Sequence, residues 1–429
     1  MSERYHNSEL LLERALKSIP LGTQTFSKSK TQYPYGVSPY FIKKGKGSHV
    51  WDVDNNEYID FINGLASVTL GYNDPDANAA VLEQLNNGVT FSLPHPLEFI
   101  VAEKIIEMVP CAEMVRFGKN GSDATAGAIR LARAYTHRDH VAVCGYHGWQ
   151  DWYIGSTARN MGVPESTRQL THIFTYNDIE SLRVIFKQWP DQVAAVIMEP
   201  MNSTEPKNDF LLLVEELTHQ NGALFIFDET ITGFRYANGG AQEFFGITPD
   251  LATFGKGMSN GYPLSAVAGK ADIMHLMEEI FFSFTFGGET LSLAAANATM
   301  TKLQEEPILE TMKNQGLKII QGVEKLLVEN ELQDVVSITG HPSWSFLNFN
   351  DIAPYTIWEI KTLFLQEMFS RGILILGTHN MNYCHSDEDI SILLNAYGEV
   401  FTIIRKAIDD KSLDKLLRCT PLEPLFRLR

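Results

Sequence analysis

Short apolar runs alternate with helix-like stretches between about residues 100 and 270. Six runs have the length and the apolar or β-branched composition of buried strands, and they cover residues 114–117, 140–144, 193–198, 223–227, 251–254 and 265–268. Between them, the spacing of apolar residues predicts helices, most clearly over 123–135 and 210–220. This alternation predicts an α/β fold with a mostly parallel sheet that is covered by helices on both faces.

The N-terminal part of the chain has a different pattern. Residues 8–18 are amphipathic and stop before Pro20, and residues 22–36 read as a loop or arm rich in Gly, Ser, Lys and Tyr. Residues 49–61 alternate apolar and polar side chains around Asn55-Asn56. Such alternation about a two-residue turn is typical of a β-hairpin.

The chain is long enough for two packed units. A single core usually stops growing at about 250 to 300 residues, and this chain has 429. After about residue 310 helix-like periodicity dominates, with strand signals near 335–339, 343–348 and 373–376. We predict that residues 1–60 contribute the arm and hairpin to a small domain. Residues 61–305 would form the large ligand-binding domain, and residues 306–429 would complete the small α+β domain.

Charge and composition narrow the class of partner. The formal net charge is −17, which argues against nucleic acid or an anionic membrane as a partner. The four cysteines stand far apart without a C-x-x-C pair, so neither a disulfide scaffold nor a metal site is predicted. No signal-peptide segment and no run of about 18 apolar residues occurs, so we expect a cytoplasmic location.

Polar motifs directly follow five of the predicted strands. In a parallel sheet the carboxyl ends of the strands meet at one edge, where ligands bind. The five strand ends are therefore expected to contribute to one site. They are Lys119-Asn-Gly-Ser-Asp123, Gly145-Tyr-His-Gly-Trp149, Glu199-Pro200, Asp228-Glu229 and Gly255-Lys256-Gly257.

Asp228 and Lys256 are the main chemical candidates. An ionised carboxylate at the end of the apolar strand 223–227 needs a cationic partner, and the protonated pyridine nitrogen of pyridoxal 5′-phosphate (PLP) is one. An ordinary helix cap is the alternative for Asp228. Lys256 lies between two glycines, and a desolvated lysine there could form a Schiff base with an aldehyde. A phosphate-binding P-loop is excluded, because Asp250 and Gly257 replace its required Gly and Ser or Thr.

Two further motifs suit the same cofactor. Gly121 and Ser122 open the predicted helix 123–135, and free N–H groups at a helix start bind anions such as a phosphate. Tyr146 stands near Gly148, so its ring could stack on a planar cofactor. Each motif also has an ordinary explanation, a helix cap in the first case and a core tyrosine in the second.

Taken together, these segments resemble the class III (ornithine-type) aminotransferases, and among them the glutamate-1-semialdehyde aminomutase branch. The matching strings occur in the family's order. They are N-G-S-D-A with A-I-R-L-A-R-A (120–134), Y-H-G-W (146–149), V-I-M-E-P (196–200), F-D-E-T-I-T-G-F-R (227–235), P-D-L-A-T-F-G-K-G-M-S-N-G-Y-P-L-S-A-V-A-G (249–269) and T-F-G-G-E-T (285–290).

The resemblance implies a PLP enzyme of fold type I, a homodimer whose active sites lie at the subunit interface. By motif, Lys256 is the Schiff-base lysine and Asp228 is the partner of the pyridine nitrogen. Thr230 would touch the ring face opposite Tyr146. The phosphate would be bound by Gly121 and Ser122, joined by Thr285 of the neighbouring subunit, and Glu199 and Asn202 would lie near the ring hydroxyl.

One departure from the aminomutase pattern concerns the substrate. Aminomutases of this branch have a P-V-R-A-F-like string near the start, whereas this chain has no arginine between Arg14 and Arg116. Lys28 or Lys30 is then the candidate for an anionic substrate group. Trp149 and Trp152 either widen the pocket for a bulkier, sugar-like substrate or pack within the fold.

We therefore predict a PLP-dependent aminotransferase that moves an amino group from a small-molecule donor to a carbonyl acceptor by a ping-pong mechanism. An aminomutase that transfers the group within one molecule is the alternative, and it would use the same residues. A PLP-fold binding protein without catalysis is disfavoured, because both Lys256 and Asp228 are present.

Overall fold

The computed structural model describes residues 3–423. Within this range fourteen strands occur. They are β1 (Ile42–Lys46), β2 (His49–Asp52), β3 (Glu57–Asp60), β4 (Met114–Gly118), β5 (His140–Cys144), β6 (Thr171–Ile173), β7 (Val193–Met198), β8 (Leu224–Asp228), β9 (Leu251–Phe254), β10 (Ser265–Gly269), β11 (Val336–His341), β12 (Trp344–Phe349), β13 (Ile373–Leu374) and β14 (Thr378–Asn380).

Sixteen α-helical segments lie in the same described range. They are α1 (His6–Ala15), α2 (Asn63–Ala66), α3 (Pro75–Asn87), α4 (Pro96–Met108), α5 (Gly121–Thr136), α6 (Asp151–Ile154), α7 (Glu165–Arg168), α8 (Ile179–Gln188), α9 (Phe210–Gln220), α10 (Ala241–Phe245), α11 (Ala271–Met274), α12 (Thr290–Glu305), α13 (Ile308–Glu329), α14 (Ile357–Ser370), α15 (Asp387–Asp409) and α16 (Leu413–Leu416).

The chain divides into two compact units. One comprises Ala66–Thr69 and Pro75–Leu309, and we call it the large unit. The other joins residues 3–65 and Leu70–Asp74 to residues 310–423, and we call it the small unit. The predicted boundaries after residues 60 and 305 fall a few residues before these divisions, and the assignment of three segments to two domains stays a prediction.

The large unit is built on a seven-stranded sheet of order β4-β10-β9-β8-β7-β5-β6. The pairs from β9 through β8, β7 and β5 to β6 are all parallel, and only β10 runs antiparallel to its neighbours β9 and β4. The mostly parallel α/β sheet predicted from the sequence is therefore confirmed. All six predicted strands are present, and the parallel edge strand β6 is an addition to them.

Helices cover both faces of this sheet because alternate residues of each strand point to opposite sides. Val141 and Val143 pack with α5 on one face. Ala142 and Cys144 of the same strand pack with α8 and α9 on the other face. The strands are buried on both sides, which explains why they read in the sequence as continuous apolar runs.

The small unit contains two smaller sheets, of order β1-β2-β3-β13 and β11-β12-β14. The predicted hairpin is present as the antiparallel pair β2–β3, and Asn55 in its turn has a φ of 65°. Left-handed backbone of this kind is tolerated by Asn better than by most residues. The N-terminal arm belongs to this unit, and Tyr33 of the arm stacks on Phe369 of α14. No helix among residues 3–423 is both long and apolar enough to span a membrane.

Candidate active site

Asp228 is the last residue of β8, and its carboxylate is buried. One oxygen, Oδ1, accepts hydrogen bonds from Thr230 Oγ1 at 2.6 Å, from Thr230 N at 3.1 Å and from Thr253 Oγ1 at 3.1 Å. The other oxygen, Oδ2, lies 2.8 Å from His147 Nδ1. Burial alone would raise the pKa of Asp228, but the hydrogen bonds from His147 and Thr230 outweigh it and lower the pKa. The carboxylate is therefore ionised at neutral pH.

His147 was not predicted as a site residue, and it is the partner that holds Asp228. Its side chain is buried, and its carbonyl oxygen accepts a hydrogen bond from Thr125 Oγ1 at 2.8 Å. The imidazole stacks on Trp152, with ring centroids 6.3 Å apart, and meets the edge of Tyr153. These contacts fix the ring so that Nδ1 faces the carboxylate. The motif Y-H-G-W drew attention to its tyrosine, and nothing in the sequence pairs His147 with a residue 81 positions away.

Lys256 follows β9 in a short turn and has a φ of 43°, in the left-handed region. Burial lowers the pKa of its amine, while the carboxylates of Glu199 and Asp228 act in the opposite direction. Among residues 3–423 we find no hydrogen bond or ion pair to Nζ. Gly257 has a steric reason to be glycine, because a Cβ there would overlap Thr69 Oγ1. A lysine amine whose pKa is lowered by burial loses its proton more readily than an exposed lysine, which suits nucleophilic attack and proton transfer.

The N-terminus of α5 and the loop after β5 approach each other closely. Trp149 N donates a hydrogen bond to Ser122 Oγ at 3.3 Å, and a Cβ on Gly148 would overlap the same hydroxyl oxygen. Gly121 faces Thr230, and a Cβ on Gly121 would lie 3.0 Å from Thr230 Cγ2. Small residues therefore line the helix start, where free N–H groups and the helix dipole favour an anion.

Glu199 follows β7 and accepts hydrogen bonds from Tyr146 N at 3.0 Å and from Asn202 Nδ2 at 3.2 Å. Burial and the charge of Asp228 raise its pKa. The ring of Tyr146 is half exposed and contacts Tyr153 edge-on at 5.7 Å. Residues from four of the predicted strand ends thus contact one another through side-chain or backbone groups, and at the fifth the charges of Glu199 and Asp228 act on Lys256. The ring of Tyr146 keeps an exposed part.

Two predicted residues, Thr285 and Lys28, do not share these contacts, and the two tryptophans take part in them only through the backbone of Trp149 and the ring of Trp152. Thr285 is exposed in the loop before α12, and Lys28 belongs to the small unit. Trp152 is buried and packs in the hydrophobic cluster between α5 and the sheet, whereas Trp149 is 69% exposed. The contacts of Trp152 agree with the alternative stated above, that this side chain packs within the fold.

The site has the parts that PLP requires. The described residues include an amine without a hydrogen-bond or ion-pair partner in that range, an ionised buried carboxylate and a helix start lined by small residues. These three features are suited to an aldehyde, a pyridine nitrogen and a phosphate. The fold and the site together define a PLP-dependent enzyme of amino transfer.

The chain belongs to the class III aminotransferase family, whose model matches residues 32–408. It is 35% identical over 408 residues to the 3-aminobutyryl-CoA aminotransferase of Cloacimonas acidaminovorans, covering 93% of this chain and 97% of that protein. It is 33% identical over 392 residues to the glutamate-1-semialdehyde 2,1-aminomutase of Aquifex aeolicus, covering 86% of this chain and 92% of that protein. The predicted family, cofactor and branch resemblance are confirmed.

Solved structures agree with this assignment. The FumI protein of Sphingopyxis sp. MTA144, in its PLP internal aldimine form, superposes with a TM-score of 0.88 at 29% identity, covering 96% of this chain and all of that one. The fold class predicted from the sequence, PLP transferase fold type I, is therefore confirmed.

Replacing Asp228 by Asn is expected to lower kcat/KM for amino transfer by at least about 100-fold, because a preorganised charge at the reacting system is lost. Steady-state kinetics measure the effect, and circular dichroism checks the fold. Asp250→Asn is the matched control. Asp250 directly precedes β9, and its carboxylate is also buried and forms salt bridges with His219 and Lys270. Equal activity of Asp228→Asn and the native enzyme would contradict the assignment.

Proposed function

We propose that this chain transfers an amino group from a small-molecule donor to a separate carbonyl acceptor, with Lys256 as the catalytic residue. The observation that carries the proposal is the buried amine of Lys256, whose pKa is lowered by desolvation in a site that also holds Asp228 and Glu199. The aminotransferase of C. acidaminovorans, at 35% identity, supports transfer between two molecules. The absence of arginine between Arg14 and Arg116 disfavours the aminomutase alternative.

We assign the cofactor contacts from the motifs and their surroundings. Lys256 would hold PLP covalently through Nζ, and Asp228 would face its pyridine nitrogen. Tyr146 and Thr230 would flank the two faces of the ring. Gly121 and Ser122 would bind the phosphate at the start of α5, where Thr230 is the near neighbour of Gly121 and Gly148 that of Ser122. Glu199 and Asn202, which are hydrogen-bonded to each other, would lie near the ring hydroxyl.

The protein's own groups divide the work of the reaction. PLP, when bound, withdraws electrons from the bonds at the amino-bearing carbon. Asp228 is ionised and stabilises a proton on the ring nitrogen, and His147 orients Asp228 through the 2.8 Å contact. The amine of Lys256 would take the proton from the amino-bearing carbon of the substrate and deliver it to the atom on the far side of the nitrogen, a 1,3-proton transfer. Tyr146 excludes water from one ring face.

Lys28 is our candidate for recognition of an anionic substrate group. It lines a cavity of about 380 Å³ in the small unit, together with Lys30, Asp60, Tyr33 and Tyr72. In the arginine-free arm, lysine is the cation available to such a group. Trp149 and Trp152 stay candidates for contacts to a bulkier substrate.

We propose a homodimer with shared active sites. Large apolar side chains are exposed on the large unit along α3, α4 and their connection, including Leu82, Leu93 and Phe99 at 61%, 79% and 58% exposure. The loop of Thr285 lies beside them, because Thr290 Oγ1 donates to the carbonyl oxygens of Gly88 and Val89. Apolar patches of this kind mark protein interfaces. Thr285 would then reach the phosphate of the cofactor bound in the neighbouring subunit.

A cytoplasmic location is also part of the proposal. It is supported by the four cysteines, which are all free thiols among the described residues, as expected in a reducing compartment.

Borohydride reduction of the PLP-loaded enzyme is expected to fix a pyridoxyl group on Lys256, identified by peptide mapping. Lys361 provides an internal control, because burial also lowers its pKa but no carboxylate acts on it. A pyridoxyl group on Lys361, or none on Lys256, would contradict the role of Lys256 as cofactor lysine.

Initial rates with varied donor and acceptor are expected to give parallel double-reciprocal lines, because the two substrates react in separate half-reactions. Donors are found first by bleaching of the visible absorbance of the bound cofactor. Full turnover of a single amino-aldehyde substrate, without any acceptor, would instead establish the aminomutase.

Leu93→Asp together with Phe99→Asp is expected to convert the dimer into monomers, because two charges would have to be desolvated in the apolar interface. Sedimentation equilibrium measures the mass. Met161→Asp is the control, since Met161 is 99% exposed and lies outside this patch. A native protein that sediments as a monomer would refute the shared site.

A further inference from the structure

A second cavity, of about 490 Å³, lies in the large unit on the outer flank of α5. We call it the α5 groove, and Arg130, Arg133, Trp149, Asp151, Trp152 and Thr167 are among the residues that line it. Its size is within the range of small-molecule sites. The proposed catalytic groups Lys256 and Asp228 do not line it, so the assignments above do not explain it.

Among residues 3–423, neither Arg130 nor Arg133 of the α5 groove forms a salt bridge with a carboxylate, although the charge of Asp139 acts on Arg133. Arg130 and Arg133 lie three residues apart on α5 and so share one flank of the helix. Arg130 Nη1 donates to the carbonyl oxygen of Phe281 at 3.3 Å, and Arg133 Nε donates to that of Asp139 at 2.8 Å. Arg133 Nη2 is buried and has no hydrogen-bond partner in the described part of the chain. Because the chain has a net charge of −17, two neighbouring arginines without salt bridges in the described residues stand out against its acidic composition.

Two tryptophan side chains, Trp149 and Trp152, also line the α5 groove. Trp152 is 8% exposed, and its Nε1 is buried with no hydrogen-bond partner within residues 3–423, which is costly for a donor. Trp149 is 69% exposed, while its backbone is held by the bond to Ser122 Oγ. A large aromatic face kept at the rim of a pocket is suited to stacking on a planar ring. Asp151 is exposed beside them and can accept bonds from hydroxyl groups.

We propose that the α5 groove binds a nucleoside phosphate. The phosphate would pair with Arg130 and Arg133, because guanidinium groups match phosphate oxygens in pairs. The base would stack on Trp149, and ribose hydroxyls would donate to Asp151. Trp149 and Trp152 were proposed above to contact a bulkier substrate, and the present proposal names the chemical class of that ligand. To that extent it rests on the proposed function. A simple dicarboxylate would use the arginines but leave the indoles without a role.

The test is calorimetric titration of the PLP-loaded enzyme with AMP, adenosine and inorganic phosphate. AMP is expected to bind saturably and at least about tenfold more tightly than adenosine or phosphate alone, because only AMP engages both arginines and the indole. Arg130→Gln and Trp149→Leu, both at exposed side chains, are each expected to weaken AMP binding by about tenfold or more. Arg183→Gln is the matched control, since Arg183 is an exposed arginine on α8 with its own partner Glu180.

Three results would overturn the proposal: no saturable AMP binding, equal affinity for AMP and adenosine, or equal weakening by Arg183→Gln. Lys256→Ala keeps this test separate from the catalytic proposal, because that variant is expected to lose amino transfer and still bind AMP. Inhibition kinetics with AMP then show whether the groove binds the nucleotide part of a substrate or a separate, free nucleotide. Competition of AMP with the acceptor would assign the groove to the nucleotide part of a larger substrate. Binding without competition would assign it to a free nucleotide acting as an effector.

Discussion

The ionised carboxylate of Asp228, buried at the end of a central strand, is the constraint on which the site depends. Desolvation of a charge costs several kcal/mol unless other groups compensate it. Here Thr230, Thr253 and His147 supply four contacts, and they lower the pKa of the acid although it is buried. The site therefore presents a permanent negative charge to a cationic ligand.

The parallel sheet brings the other groups of the site close to Asp228. The parallel strands β5, β7, β8 and β9 end at one edge, so residues far apart in the sequence meet there. His147 comes from the loop after β5, and Lys256 comes from the turn after β9. Since these strands are buried on both faces, their ends are fixed by core packing. A rigid sheet thus sets the distances between groups that loops alone would leave variable.

The sequence predicted most of the sheet because buried parallel strands have an apolar pattern of their own. It did not predict β6, which has three residues and lies at the sheet edge. In the site, Asp228 and Lys256 could be predicted from their position after strands. His147 could not, because its importance comes from a contact across 81 positions. Likewise, the need for Gly257 arises from Thr69, which only the folded chain brings near.

Helix α5 connects the two ligand sites proposed for this chain. Its first turn carries Ser122, which we propose to bind the cofactor phosphate, and its flank carries Arg130 and Arg133 in the groove. The hydrogen bond from Trp149 N to Ser122 Oγ joins the indole at the groove rim to the phosphate side. A ligand that orders Trp149 would thereby also order the loop that positions His147. Because His147 in turn orients Asp228, occupancy of the groove and the electrostatics of the catalytic site share one short path of contacts.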